Sequence, residues 1–177
     1  ALIAAIGAGC VDCVKVLLGA HRRAMRSARP GAFEYEIEAE LIHEFRRHGS
    51  QAPAYTSIVA SGPGACVLHY IENDRQMQDG ELLLIDAGCE LDGYASDITR
   101  SFPVNGRFSG PQKAVYELVL AAQAAAIAEI RPGASWNAGH DAATRVLTQG
   151  FIDLGLIKGS LDDAIESGSY RQFYMHR

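Results

Sequence analysis

The chain has 177 residues, of which 48% are hydrophobic, and a formal net charge of −5. That length and apolar share are enough for a compact domain with a buried core. The acidic balance without a basic cluster excludes the electrostatic pattern of a nucleic-acid-binding protein. The apolar residues 1–11 are too few to span a bilayer, so we expect neither a nucleic-acid nor a membrane partner.

The four cysteines are Cys10, Cys13, Cys66 and Cys89. They lack the second Cys or His pair of a zinc site, and they are too few and too scattered for a disulfide framework. No positively charged segment precedes the apolar start, as it would in a secretory signal. These features predict free thiols in a reducing compartment and a cytoplasmic protein.

Two helices are predicted first. One runs from about Cys10 to Ser27 and ends before Arg29-Pro30-Gly31, because proline disfavours helix at the preceding residue and glycine permits a turn. The second carries apolar residues four apart on one face and stops near Gly49. These apolar residues are Phe33, Ile37, Leu41 and Phe45.

Strands are predicted next. Short β-prone runs at 56–60 and 66–70 flank Ser61-Gly62-Pro63-Gly64, and an apolar run follows at 82–85. A more mixed run covers 94–102. Asp92-Gly93 separates these last two runs and is a strong signal for a hairpin turn.

Helices return in the last third, at about 115–130 and 135–154. Arg131-Pro132-Gly133 lies between them, as Arg29-Pro30-Gly31 lies between the first two helices. The repeated order of helix, Arg-Pro-Gly and helix suggests a duplicated α/β unit, although chance agreement of a tripeptide is an equal alternative.

A pair of carboxylates gives the strongest chemical signal. If Asp92-Gly93 is a two-residue turn, Leu91 faces Tyr94 and Asp86 faces Thr99. Asp86 and Asp97 are then diagonal neighbours on one face of the hairpin, about 7–8 Å apart with converging side chains.

Two like charges so placed repel each other unless a cation lies between them, which favours a metal site. The alternative is that Asp86 caps a turn and Asp97 is solvated. A register slip of one residue would also separate them. His69 and Tyr55 are weaker candidates, since a lone histidine is more often a hydrogen-bonded core residue.

Taken together, residues 55–62, 68–70, 85–89 and 94–106 resemble aminopeptidase P. This enzyme is one of the pita-bread metallopeptidases, with prolidase, methionine aminopeptidase and the metal-free creatinase. The phrase Asp-Ile-Thr-Arg-Ser-Phe-Pro-Val-Asn-Gly at 97–106 is highly specific. Residues 29–36 and 173–176 favour aminopeptidase P over its cousins.

The resemblance implies an α/β (α+β) fold, namely the pita-bread fold, with its first half and part of its second present. It extends from about His21 to His176. We therefore expect an unmatched helical segment at 1–20 and an incomplete catalytic domain at 21–177.

The same resemblance implies site residues. Asp86 and Asp97 look like metal ligands for two divalent ions, with Mn²⁺ expected, and Tyr55 looks like a residue beside the metals. His69 and His176 look like catalytic residues that face the substrate. The remaining histidine and two glutamate ligands of the family are absent from this sequence, so we expect the chain alone to be inactive.

The implied activity is release of the N-terminal residue from peptides with proline in second position. Alternatives are a metal-free pita-bread module that binds peptides or proteins, and a prolidase-type dipeptidase. Family members are often oligomers, so a homo-oligomeric full-length protein is compatible with the resemblance.

Overall fold

The computed structural model describes residues 7–174 of the chain. The chain divides into two compact units, Ala1–Phe108 and Ser109–Arg177, which we call the N-terminal and C-terminal units. The predicted catalytic residue His176 lies outside the described residues. Among the helices that the structure describes, none is long and apolar enough to cross a bilayer.

The N-terminal unit opens with two helices that pack against each other, α1 (Gly7–Ser27) and α2 (Glu34–Arg47). Both predicted helices are confirmed. Each buries a stripe with helical spacing, because residues three and four apart share a helix face. The buried stripes are Cys13, Leu17, Ala20 and Ala24 on α1, and Ile37, Leu41 and Phe45 on α2.

The breaks after these helices use glycine in the left-handed region. Gly31 has φ +87°, directly after Arg29-Pro30, and Gly49 has φ +87° just after α2. Glycine adopts this conformation without the steric cost that a Cβ would add. The predicted helix ends are therefore explained by the local backbone.

Within residues 7–174, six short strands form two antiparallel sheets. The first sheet has the order β2-β3-β6 and the second has the order β1-β4-β5. The strands are β1 (Ala52–Pro53), β2 (Ile58–Ser61), β3 (Leu82–Ala87), β4 (Cys89–Leu91), β5 (Tyr94–Ala95) and β6 (Ile98–Pro103).

The predicted hairpin register is confirmed. Leu91 pairs with Tyr94 across the Asp92-Gly93 turn, and Asp86 pairs with Thr99 further along. The hairpin is nevertheless shared between the two sheets, because the ladder is interrupted at Gly88. Asp86 and Asp97 thus lie at the junction between the two sheets.

The prediction of a strand at 66–70 is wrong. A 3₁₀ helix, Gly62–Cys66, begins directly after β2, and no strand follows it before Leu82. Pro63 cannot donate to a β ladder, and Gly62 adopts φ +49°, so the chain turns instead of continuing as a strand. His69, with φ +55°, lies on the loop after this turn.

The described residues of the C-terminal unit form three α-helices, α3 (Gly110–Ala128), α4 (Ala138–Asp153) and α5 (Leu161–Glu166), and a 3₁₀ helix, Ser169–Gln172. Ser109 and Gln112 form a capping box at the start of α3. Gly133, with φ +83°, lies between α3 and α4 as Gly31 lies between α1 and α2. The second helix–Arg-Pro-Gly–helix order is confirmed, while duplication itself stays a hypothesis.

Candidate metal centre

The side chains of Asp86 and Asp97 converge on one hydroxyl group. The Tyr55 Oη lies 2.6 Å from the Asp86 Oδ1 and 2.9 Å from the Asp97 Oδ1. The two carboxylate oxygens can therefore be no farther apart than the sum of these distances. Asp86 is partly buried on β3, and Asp97 is exposed just before β6.

A phenol has a single proton, so Tyr55 can donate to only one carboxylate at a time. Burial, and then the hydrogen bonds to Asp86 and Asp97, raise the pKa of Tyr55 well above its usual range. The hydroxyl thus stays protonated at neutral pH and cannot add a third negative charge. The second carboxylate contact has no matching proton, and two like charges placed so closely favour a cation between them.

Gly88 allows the Tyr55 ring to lie against the hairpin. A Cβ at Gly88 would be 1.9 Å from the carbonyl oxygen of Ser96 and 2.8 Å from a ring carbon of Tyr55. The neighbouring Ala54 N–H donates to the Gly88 carbonyl at 2.9 Å. Gly88 is needed for this close approach, which the sequence alone did not indicate.

The other face of the hairpin is held by α1. The His21 Nε2 lies 2.9 Å from the Ile98 carbonyl oxygen, directly after Asp97. Because a carbonyl can only accept, Nε2 carries the proton, and the buried Nδ1 has no hydrogen-bond partner among the described residues. Burial lowers the pKa of His21, which favours this neutral form.

A buried carboxylate anchors the loop that carries His69. Glu34 is fully buried, and its two oxygens accept from four donors. The donors are the Ser61 N–H at 2.6 Å, the Ser61 hydroxyl at 2.7 Å, the Tyr70 hydroxyl at 2.7 Å and the Arg75 N–H at 3.0 Å. Burial, followed by the Glu34 hydrogen bond, raises the pKa of Tyr70 to about 12.

The structure brings some of the predicted site residues together and leaves others apart. Asp86, Asp97 and Tyr55 come together, while His69 lies exposed on its loop and its catalytic role stays a prediction. Among the residues that the structure describes, no group of three or more His, Cys, Asp or Glu side chains could hold a metal ion. The carboxylate pair is the chain's candidate contribution to a metal centre.

Sequence reasoning missed three residues that support this pair: Gly88, His21 and Glu34. His21 lies beside the apolar stripe of α1, whose spacing could have marked it as buried. Glu34 directly precedes an apolar stripe that begins at Ile37, but nothing in its own spacing indicates burial. Its four donors come from segments remote in sequence.

Comparisons with known proteins show what this chain is similar to. The Xaa-Pro aminopeptidase of Haemophilus influenzae is 57% identical over 156 residues, which are 88% of this chain and 36% of that protein. The Xaa-Pro aminopeptidase of Escherichia coli is 48% identical over 157 residues, covering 89% of this chain and 36% of that protein. The chain spans little more than a third of the length of these relatives.

Two solved structures that this chain resembles are also aminopeptidases. The aminopeptidase PepP of Pseudomonas aeruginosa superposes with a TM-score of 0.93 and 57% identity, covering 94% of this chain and 38% of that one. Zn-substituted E. coli aminopeptidase P in complex with product gives 0.91 and 46%, covering 93% and 37%. The predicted fold class, part of a pita-bread fold, is confirmed.

The match to a protein family covers most of the sequence. It begins at residue 12, within α1, and extends to residue 177. The predicted division at residue 20 stays a prediction. Since the match covers far more than half of the sequence, the chain belongs to metallopeptidase family M24.

Proposed function

We propose that this chain supplies two metal-binding carboxylates, Asp86 and Asp97, to an aminopeptidase that releases the N-terminal residue from Xaa-Pro peptides. The observation that carries the proposal is the convergence of both carboxylates on the Tyr55 hydroxyl. The identity of 57% to an Xaa-Pro aminopeptidase supports the choice of reaction.

The donor set fits a hard divalent cation. Carboxylate oxygens are the ligands that Mg²⁺, Ca²⁺ and Mn²⁺ prefer, and Asp86 and Asp97 would together offer such oxygens to bound ions. We propose Mn²⁺ at two positions, with the remaining ligands contributed from outside residues 7–174. A cation here would offset the mutual repulsion of the Asp86 and Asp97 carboxylates.

The residues of this chain would have separate roles in the reaction. Asp86 and Asp97 would hold the ions, and Tyr55 would fix the spacing of the two carboxylates. His69 and His176 would contact the peptide substrate. When bound, the metal pair would polarise the scissile carbonyl and stabilise the negative charge that develops on its oxygen.

Mn²⁺ binding to the purified chain is the first expected result. In isothermal titration at neutral pH, Asp86→Asn and Asp97→Asn should each weaken Mn²⁺ binding by about tenfold or more, because each removes one of two charged ligands. Asp92→Asn is the matched control, since it removes the same charge from the exposed hairpin turn. Equal weakening by all three variants would show only a general electrostatic effect and would contradict a site at Asp86 and Asp97.

A chimera tests the reaction itself. Here this chain replaces the matching 156-residue segment of the H. influenzae Xaa-Pro aminopeptidase. We expect Mn²⁺-dependent release of the first residue from an Xaa-Pro tripeptide, and a loss of about a hundredfold or more with Asp97→Asn. The Asp92→Asn chimera should keep its activity.

The chimera also separates the alternatives. A folded chimera without activity that still binds Xaa-Pro peptides would favour a binding module. Activity on an Xaa-Pro dipeptide but not on a tripeptide would favour a prolidase-type dipeptidase. Activity on the tripeptide that survives Asp97→Asn would contradict the assigned role of this carboxylate.

The setting of the protein is also part of the proposal. We propose peptides with proline in second position as its partners and a cytoplasmic location. Cys13, Cys66 and Cys89 are all free thiols in the structure, which suits a reducing compartment.

A further inference from the structure

Two cysteines from distant parts of the sequence are in contact within the N-terminal unit. The Cys13 Sγ on α1 lies 3.6 Å from the Cys89 Sγ at the start of β4. Cys13 is 1% exposed and Cys89 is 0% exposed. They are separated by 76 positions in the sequence, so the fold alone brings them together.

The surroundings hold both sulfurs in place. The Cys13 thiol lies 3.0 Å from the Cys89 carbonyl oxygen and 3.3 Å from that of Tyr94. The Cys89 Sγ lies 3.4 Å from the Ser96 hydroxyl. Around them, Leu17 and other α1 residues pack in the same core.

The separation of the sulfurs is that of van der Waals contact. A disulfide has an S–S distance of about 2.05 Å, so the two sulfurs would need to approach by roughly 1.5 Å. Rotation about χ1 of either cysteine moves its sulfur over such distances without moving the backbone far. The pair is therefore placed for a cross-link that has not formed.

We propose that Cys13 and Cys89 are a modification site, at which a peroxide joins α1 to β4 through a disulfide. One thiolate attacks a peroxide oxygen, giving a sulfenic acid, and hydroxide leaves. The second thiol attacks the sulfenic sulfur and displaces water. For hydrogen peroxide, two thiols lose two electrons and two protons, and one peroxide becomes two waters.

The reaction should be slow. Burial raises the pKa of the Cys89 thiol to about 11, so few thiolates form at neutral pH. Both sulfurs are also buried, so the packing of α1 against β4 must open before peroxide can reach them. Cys66 is exposed and should react first. The disulfide is thus a response to sustained oxidation.

The test uses the full chain with Cys10→Ser and Cys66→Ser, which leaves only Cys13 and Cys89. After native treatment with hydrogen peroxide, free thiols are alkylated in denaturant, and peptides are mapped by mass spectrometry without reductant. We expect a linked Cys13–Cys89 peptide and a monomeric chain. We also expect Tm to rise by on the order of 5 °C, reversibly with dithiothreitol, because the cross-link closes a long loop.

The control adds Cys13→Ser to the same background and should show neither the linked peptide nor the rise in Tm. If the serine background fails to fold, the unsubstituted chain is mapped for the same peptide. Two alkylated thiols after prolonged oxidation, or linkage only between chains, would overturn the proposal. So would a linked peptide that forms only when the chain is oxidised in urea.

Discussion

Glu34→Ala is expected to lower the free energy of unfolding by about 3–5 kcal/mol, which is a large fraction of the stability of a small domain. Glu34 is fully buried and accepts hydrogen bonds from Ser61, Tyr70 and Arg75. Removing it leaves donors buried without partners, and each unpaired donor carries a desolvation cost. Urea unfolding followed by circular dichroism would measure the loss.

The reason for so large an effect is the number of segments that meet at this carboxylate. Ser61 ends β2, Tyr70 lies on the loop after it, and Arg75 lies further along the same loop. Arg75 also makes a bidentate ion pair with Glu81, with both N–O distances at 2.6 Å. Without Glu34, the loop that carries His69 loses its fixed point on α2.

Two variants distinguish the loss of the Glu34 hydrogen bonds from the effect of removing any glutamate from α2. Glu38→Ala, at a partly exposed position on the same helix, should change the free energy of unfolding by about 0.5 kcal/mol or less. Glu34→Gln should cost less than Glu34→Ala, because its amide oxygen still accepts from Ser61. A Glu34→Ala loss no larger than that of Glu38→Ala would contradict the assigned network.

Gly88→Ala should also be severely destabilising, by about 3 kcal/mol or more, because a methyl group would overlap the Ser96 backbone across the hairpin. The added Cβ would be 1.9 Å from the Ser96 carbonyl oxygen, which belongs to the backbone and cannot rotate away. Relief requires the hairpin to open at Ser96, and the Tyr55 ring must also move away from the added methyl group. We expect both a lower free energy of unfolding and weaker Mn²⁺ binding.

Gly64→Ala is the matched control for this substitution. A Cβ at Gly64 would lie 3.6 Å from the Tyr70 ring, which is ordinary van der Waals contact, and its φ is not in the left-handed region. It should change the free energy of unfolding by about 0.5 kcal/mol or less. If the two alanine variants unfold at the same urea concentration, the close approach at Gly88 is not what positions Tyr55.

Most features that depend on neighbouring residues are predicted correctly from the sequence, while most features that depend on distant residues are not. Asp92-Gly93 predicts the hairpin register because a two-residue turn determines which residues pair on both sides. The convergence of Asp86 and Asp97 follows from that register. The strand expected at 66–70 does not form because Gly62 and Pro63 turn the chain into a 3₁₀ helix directly before this β-prone run.

Long-range contacts could not be read from local patterns. Tyr55 reaches Asp97 across 42 positions, and Cys13 reaches Cys89 across 76. Such contacts depend on how α1 and the segment after β1 pack on the hairpin, and no periodicity encodes that packing. The resemblance to a known family, and not spacing, is what identified Tyr55 as a neighbour of the carboxylates.

The interrupted hairpin also limits how this segment can change in length. A residue inserted into β4 or β5 would shift one strand against the other and turn Asp86 or Asp97 to the opposite face. A residue inserted at Asp92-Gly93 would lengthen only the exposed tip and leave every pair unchanged. In proteins that evolve from this one, insertions and deletions should therefore be tolerated at the Asp92-Gly93 turn and selected against in β4 and β5.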